Sequence, residues 1–258
     1  MKVTILGCGA AGGVPMISRG WGNCDPNNPK NRRLRTSLLL QNENLTLLFD
    51  TGPDLREQLL SAQVRSLDAI LYTHEHADHT HGIDDLREVN RAMQKGIPVY
   101  ANATTLACLK ERFGYAFQPI NVEKEPFFHP WLEPNLIKPG EAFYVKSLKI
   151  MPFMQDHEWT TSLGFRIKNF AYSTDVVHLY ESALSVLEGI DTWVVGCLSD
   201  RDHPSHASIE RVLEWVDIIK PRRTILTHMA PRLDYDSLRN SLPEGIEPGY
   251  DGMEIAVE

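Results

Sequence analysis

LYTHEHADHTHG, residues Leu71–Gly82, places four of the chain's ten histidines within eight positions, with Glu75 and Asp78 among them. The run follows AILYT (Ala69–Thr73), an apolar stretch of strand length. Residues i and i+2 diverge on a helix but share a face of extended chain. An extended segment therefore lets His74 and His76 grip one cation. Once the chain turns, Asp78 and His79 can address a second. Imidazole and carboxylate together suit Zn2+, Mn2+ or Fe2+. The competing reading is a solvated His-rich loop or a set of packing histidines. The H-x-H-x-D-H pattern directly after an apolar strand favours the metal.

Other apolar runs end in the same way. LTLLFD closes on Asp50, MPFMQDH on His157, FAYSTD on Asp175 and TILTH on His228. In layered α/β folds, sites gather beyond the carboxyl ends of strands. Four separate segments can thus converge: His74/His76/Asp78/His79, His157, Asp175 and His228. Seven side chains suit two metals that share a carboxylate and keep positions open for water and substrate.

The remaining strand-length runs are VTIL (Val3–Leu6), TSLLLQ (Thr36–Gln41), PVYA (Pro98–Ala101), LGFRI (Leu163–Ile167) and TWVVGC (Thr192–Cys197). Several runs are apolar throughout, as expected of strands covered on both faces. LLLQNENLTLLF reads as a hairpin turning at Asn-Glu-Asn. SIERVLEWVDIIK presents Ile209, Val212, Leu213, Val216 and Ile219 along one helical face. Asp54–Ala62 and Leu86–Gly96 are weaker helical patterns. The mixture predicts sheets covered by helices in an α/β layered domain spanning 1–258. Glu123–Glu141, rich in proline and aromatics, reads as an irregular connection packed on the core, with a lid as the alternative.

GCGAAG (Gly7–Gly12) fits the dinucleotide fingerprint G-x-G-x-x-G. That fingerprint needs a helix at once, and GVPMISRGWGNCDPNNP cannot start one comfortably. The loop is expected instead to let backbone approach something closely.

The net charge of −8 argues against long nucleic-acid partners, which demand a basic face. It leaves room for a small anionic substrate, because metal ions can supply the positive field. Cys8, Cys24, Cys108 and Cys197 are scattered, with no C-x-x-C pair, and are expected as reduced thiols in the cytoplasm. No stretch reaches the roughly 18 apolar residues of a membrane span, so no membrane partner is expected.

Together, Asp50 in FDTG, His74-x-His76-x-Asp78-His79, His157, Asp175 in STD and His228 in LTH resemble the metallo-β-lactamase superfamily. The resemblance implies an αββα sandwich, two mixed sheets covered by helices, with a dinuclear site at one edge. It implies that His74, His76 and His157 hold one metal and that Asp78, His79 and His228 hold the other. Asp175 bridges them, and Asp50 supports the motif loop. His81, His129, His178 and His203 are left as surface residues.

A carboxylate at the bridging position, with the opening GCGAAGGVP, the segment NPKNRRLRTS and the ending GYDGMEI, is most similar to the phosphodiesterase branch. That branch includes the cyclic ribose phosphodiesterases of carbon–phosphorus lyase pathways. The resemblance implies hydrolysis of a small phosphodiester to a monoester by a metal-bound hydroxide on two Zn2+ or Mn2+ ions. Asp78 and His206 are its catalytic residues, with His206 as proton donor. A homodimer is common among such relatives. Many of them carry a cysteine cluster for a structural zinc near Cys24, which stands alone here. Lys30, Arg32, Arg33 and Arg35 are either anion contacts or structural charges. The alternatives are a tRNA-processing nuclease of this fold, a thioester hydrolase, and a metal-binding protein like those of pyrroloquinoline quinone production.

Overall fold

A computed structural model of the chain describes every residue except Glu125. The first half supplies β1 (Lys2–Gly7), β2 (Ser37–Asn42), β3 (Leu45–Phe49), β4 (Ala69–Leu71), β5 (Ile97–Ala101) and β6 (Leu132–Leu136). The second half supplies β7 (Phe143–Val145), β8 (Leu148–His157), β9 (Thr160–Ile167), β10 (Phe170–Ser173), β11 (His178–Leu179), β12 (Thr192–Gly196), β13 (Arg223–Thr227), β14 (Ile246–Pro248) and β15 (Glu254–Ala256). The helices are α1 (Leu55–Ser61), α2 (Ala77–Thr80), α3 (Leu86–Met93), α4 (Ala103–Arg112), α5 (Glu181–Leu187), α6 (Ile209–Ile219) and α7 (Tyr235–Ser241).

One sheet runs β15-β1-β2-β3-β4-β5-β6 and the other β11-β8-β9-β10-β12-β13-β14, with β7 beside β8. Along each order, three antiparallel pairings are followed by three parallel ones. Both sheets are therefore mixed, and the two sheets repeat one pairing plan that sequence spacing did not reveal.

Alternation along the strands builds the layers. On β2 and β3, Leu38, Leu40, Leu47 and Phe49 join Phe153, Leu163 and Phe165 of the second sheet in one core. Leu39 and Leu48 point the other way, to Leu55 and Leu59 of α1, Val89 of α3 and Leu109 of α4. Both faces of these strands are covered, which explains their unbroken apolar runs. Truncating such a buried Leu to Ala costs about 2–5 kcal/mol.

The β2–β3 hairpin turns at Glu43–Asn44, since Asn42 pairs with Leu45. α6 starts where the Ser208 hydroxyl accepts from the Arg211 backbone N–H, and it ends at left-handed Lys220. It buries Val212, Trp215 and Ile219, with Ile209, Leu213 and Val216 at the margin.

Glu123–Glu141 departs from expectation, because it contains β6, paired in parallel with β5. Pro134 masked the strand in the sequence. A sheet edge tolerates its missing N–H. The segment packs on the core rather than forming a lid: Phe127 and Leu132 are buried, and the Asn90 side chain bonds both backbone groups of Trp131. Glu125 lies outside the described residues.

No α-helix follows the glycine loop before α1, in keeping with its Gly-Pro-rich continuation. What it approaches is the chain itself. The Gly9 N–H donates to Leu34 O at 2.8 Å, and a Cβ on Gly9 would lie 2.9 Å from that oxygen. Among the described residues, no helix is long and apolar enough to cross a membrane.

Candidate metal centre

Strand direction gathers the site. β3 runs parallel to β4, and β10 runs parallel to β12 and β13. β8 lies two antiparallel steps from β10 and so points the same way. The ends of β3, β4, β8, β10 and β13 thus share one edge of the sandwich. A Leu163 N–H to Thr73 O bond of 2.8 Å ties the sheets together there.

Asp50, Asp175 and His228 follow their strands with φ of 62°, 50° and 55°. Left-handed backbone is uncommon for non-glycine residues and costs about 1 kcal/mol or more each. Here it turns the chain sharply as each strand ends. The HxHxDH loop works differently. His74 lies in the irregular stretch between β4 and α2, and His76 caps α2 with φ −64° and ψ 154°. Asp78 and His79 then sit in α2 itself.

The seven expected side chains converge in two sets. His74, His76, His157 and Asp175 form one, and Asp78, His79, Asp175 and His228 form the other. Within each set, one ligand atom per residue lies within 4.8 Å of the others. Asp175 belongs to both. Its Oδ2 is 3.7 Å from His74 Nε2 and 3.4 Å from His157 Nε2. Its Oδ1 is 3.2 Å from His79 Nε2 and 3.3 Å from His228 Nε2.

Three tautomers follow from what holds the far side of each ring. Ser205 O, which can only accept, lies 2.7 Å from His157 Nδ1. Asp50 Oδ2 lies 2.7 Å from His79 Nδ1 and also accepts the Thr73 hydroxyl at 2.8 Å. With its proton committed, Thr73 Oγ1 accepts from His74 Nδ1 at 3.0 Å. All three rings therefore carry a proton on Nδ1 and turn Nε2 toward the site.

This arrangement fits cations. His74 Nε2 and His79 Nε2 are buried without a hydrogen-bond partner, although carboxylate oxygens lie close by. Burial, with His79 nearby, holds His74 well below the ordinary imidazole range, so it is a neutral donor. Burial alone would also depress His79, but Asp175, Asp78 and Asp50 outweigh it and hold that ring well above the range. Burial opposes the charge on Asp175 too, yet His228 and His79 keep it well below the usual carboxylate range. A buried cluster with this much negative charge calls for positive charge between the ligands.

His206 comes to the same place from the loop after β12. Its Nδ1 lies 3.8 Å from Asp175 Oδ2, and its ring stacks on His228 at 4.8 Å between centroids, tilted 16°. Burial pushes it down to about 3, so the ring is a neutral imidazole. Ser205 beside it orients His157, and Ala207 is pinned to Val176 O at 2.7 Å. One short loop therefore orients a candidate ligand and delivers His206.

Of the other histidines, His81 and His178 are exposed and His129 is half-buried. His203 is exposed too, but its ring stands 5.2 Å from that of His206. Sequence reading missed Thr73, Ser205 and Thr174, whose hydroxyl donates to Asp175 Oδ1 at 2.7 Å. Only the position of Thr73 and Thr174 beside motif residues could have signalled them.

Cys24 joins neither set among the described residues; its thiol donates to the carbonyls of Pro231 and Leu233. Two of the four basic residues, Lys30 and Arg33, are structural. Arg33 is buried against the carbonyls of Leu233 and Ala230, Lys30 sits over the rings of Tyr235 and Tyr250, and Arg32 is exposed.

Five imidazoles turned toward one shared carboxylate serve cations, and an αββα sandwich built around such a pair is a metal-dependent hydrolase of the metallo-β-lactamase fold. The family model described as a β-lactamase superfamily domain matches residues 46–229. A solved structure described as a new diphosphatase from the PhnP family is 32% identical, with a TM-score of 0.89 over 98% of this chain and 96% of that one. An octanoyltransferase of Porphyromonas gingivalis is 31% identical over the whole chain, which spans about half (52%) of that protein's length. Coenzyme PQQ synthesis protein B of Methylococcus capsulatus is 25% identical over the full length of both. The chain belongs to the β-lactamase superfamily and, within it, to the PhnP family.

Proposed function

We propose that this protein hydrolyses small phosphodiesters to phosphomonoesters. His74, His76, His157 and Asp175 hold one divalent transition metal, and Asp78, His79, Asp175 and His228 hold the second. Imidazole and carboxylate donors suit Zn2+ or Mn2+. When bound, the two cations supply positive charge for a phosphoryl group and lower the pKa of water.

The chain's own residues orient and exchange protons. Asp50, Thr73 and Ser205 keep the Nε2 atoms of the three imidazoles turned inward. Water adds at phosphorus, one P–O bond breaks, and the leaving oxygen takes a proton. His206 is assigned that proton, because its ring faces the shared carboxylate without belonging to either ligand set. An anionic phosphoryl group beside the ring favours the imidazolium that this step consumes.

The observation that carries this reading is Asp175 shared between two four-residue sets. The PhnP-family diphosphatase supports hydrolysis at phosphorus. A net charge of −8 favours a small substrate over structured RNA. Four unpaired cysteines support a reducing, cytoplasmic setting.

The test is turnover by Zn2+- or Mn2+-loaded protein of bis(p-nitrophenyl) phosphate, p-nitrophenyl phosphate and an octanoyl thioester. The diester is expected to be hydrolysed fastest. Preference for the thioester would move the protein to acyl chemistry, and no turnover of any would leave a binding protein.

A further inference from the structure

Beside the ligand sets opens a groove of ≈ 430 Å3, lined in part by Gly12, Met16, Ile17, Arg35, Pro53 and Asp78. Its size falls in the range of small-molecule sites, about 300–1,000 Å3. Asp78 belongs both to the groove and to a ligand set, so the groove adjoins the reaction centre.

One wall is apolar and open to solvent. Ile17 is fully exposed, and the Met16 methyl occupies the space where a Cβ on Gly12 would stand. An isoleucine left wholly in water beside a charged site gains nothing from folding, but it can gain from a ligand.

Arg35 is the single cation among the residues lining the groove. Its Nε lies 2.9 Å from Asp54 Oδ2, and its side chain is 26% exposed. Neither Nη nitrogen has a hydrogen-bond partner among the described residues, whereas Arg222 and Arg232 are each gripped at two nitrogens by Asp191 and Asp200. Asp54 approaches Nε alone, as an ion pair without hydrogen-bond geometry, and leaves the edge formed by the two Nη nitrogens free. A planar guanidinium edge with parallel N–H groups matches two phosphoryl oxygens.

We propose that Arg35 binds a second anionic group of the substrate, with its attached apolar body against Met16 and Ile17. The preferred substrate is then a diphosphate diester over a monophosphate diester. This rests on the hydrolytic reading above. Water adds at one phosphorus, the P–O bond to the bridging oxygen breaks, and that oxygen leaves on the second phosphoryl group with a proton. Two phosphomonoesters result.

The experiment compares kcat/KM of metal-loaded wild type, Arg35→Met and Arg35→Lys on diadenosine diphosphate and on adenylyl-adenosine, which has one phosphoryl group. Wild type should favour the diphosphate. Arg35→Met should lose at least about tenfold more on the diphosphate than on the monophosphate, and Arg35→Lys should regain part of it. Ile17→Asp, at an exposed position, should raise KM for the diphosphate.

Calorimetry with methylenediphosphonate and methylphosphonate provides a readout without turnover. Arg35→Met should weaken the first roughly tenfold relative to the second. Equal losses on both partners of each comparison, or no loss, would reduce Arg35 to the partner of Asp54 and overturn the proposal. If wild type turned over neither dinucleotide, the hydrolytic reading would fall, and the diphosphonate ratio would still decide whether Arg35 reads a second anion.

Discussion

Asp50 Oδ2 lies 2.7 Å from His79 Nδ1, and the same oxygen accepts the Thr73 hydroxyl that in turn receives His74 Nδ1. One buried carboxylate, which belongs to neither ligand set, therefore fixes one imidazole in each. Asp50→Asn should lower the affinity for both metals. Partners of this kind contribute roughly 10–100-fold in metal affinity. Chelator competition with Zn2+ on the wild type and the variant checks it, and equal affinities would mean that the relay orients nothing.

Asp175 has the opposite standing, since it belongs to both sets. Elemental analysis of metal-loaded protein should give about two transition metals per chain. Asp175→Ala should reduce occupancy at both positions together, whereas His76→Ala should deplete one first. A variant at Asp175 that still holds two metals would show that it is no bridge.

The strands were readable because β2 and β3 are covered on both faces and keep unbroken apolar runs. The candidate ligands were readable because each lies near a strand end or in the motif that runs from β4 into α2. The relay through Thr73 was not. A threonine there looks like ordinary strand, and its role depends on Asp50, 23 positions away, turning back at φ 62°. α4 was hidden for another reason: ATTLACLKER buries only Thr105, Leu106 and Leu109, too few apolar positions for a periodic signal. Arg35 and Arg33 look alike in RRLR. Only folding buries one among carbonyls and leaves the other facing a groove.

Asp251 gives a prediction about stability. Burial pushes its carboxyl up to about 6, against the N–H groups of Leu34 and Cys8 that bond the ionised form. Unfolded aspartate titrates near about 3.9. The folded state therefore favours the protonated acid. That contribution is complete below about pH 4 and is lost as pH rises through about 6. In metal-free protein, the stability of wild type relative to Asp251→Asn should fall by on the order of 2–3 kcal/mol between pH 4 and pH 7. Urea unfolding at both pH values measures it. A difference that stays constant with pH would mean that Asp251 ionises as it does in the unfolded chain.

His206 separates binding metal from moving a proton. Its ring packs against His228 and His157 without belonging to either ligand set, so His206→Asn should keep its metals. If it protonates the leaving oxygen, turnover should fall about 10²–10⁴-fold. The loss should also depend on the leaving group. A diester with a p-nitrophenolate leaving group needs little protonation and should lose least, whereas an alkyl leaving group should lose most. Kinetics on both esters, with metal content measured on the same samples, test this. A uniform loss across leaving groups would make His206 a positioning residue for phosphate, and loss of metal would place it among the ligands.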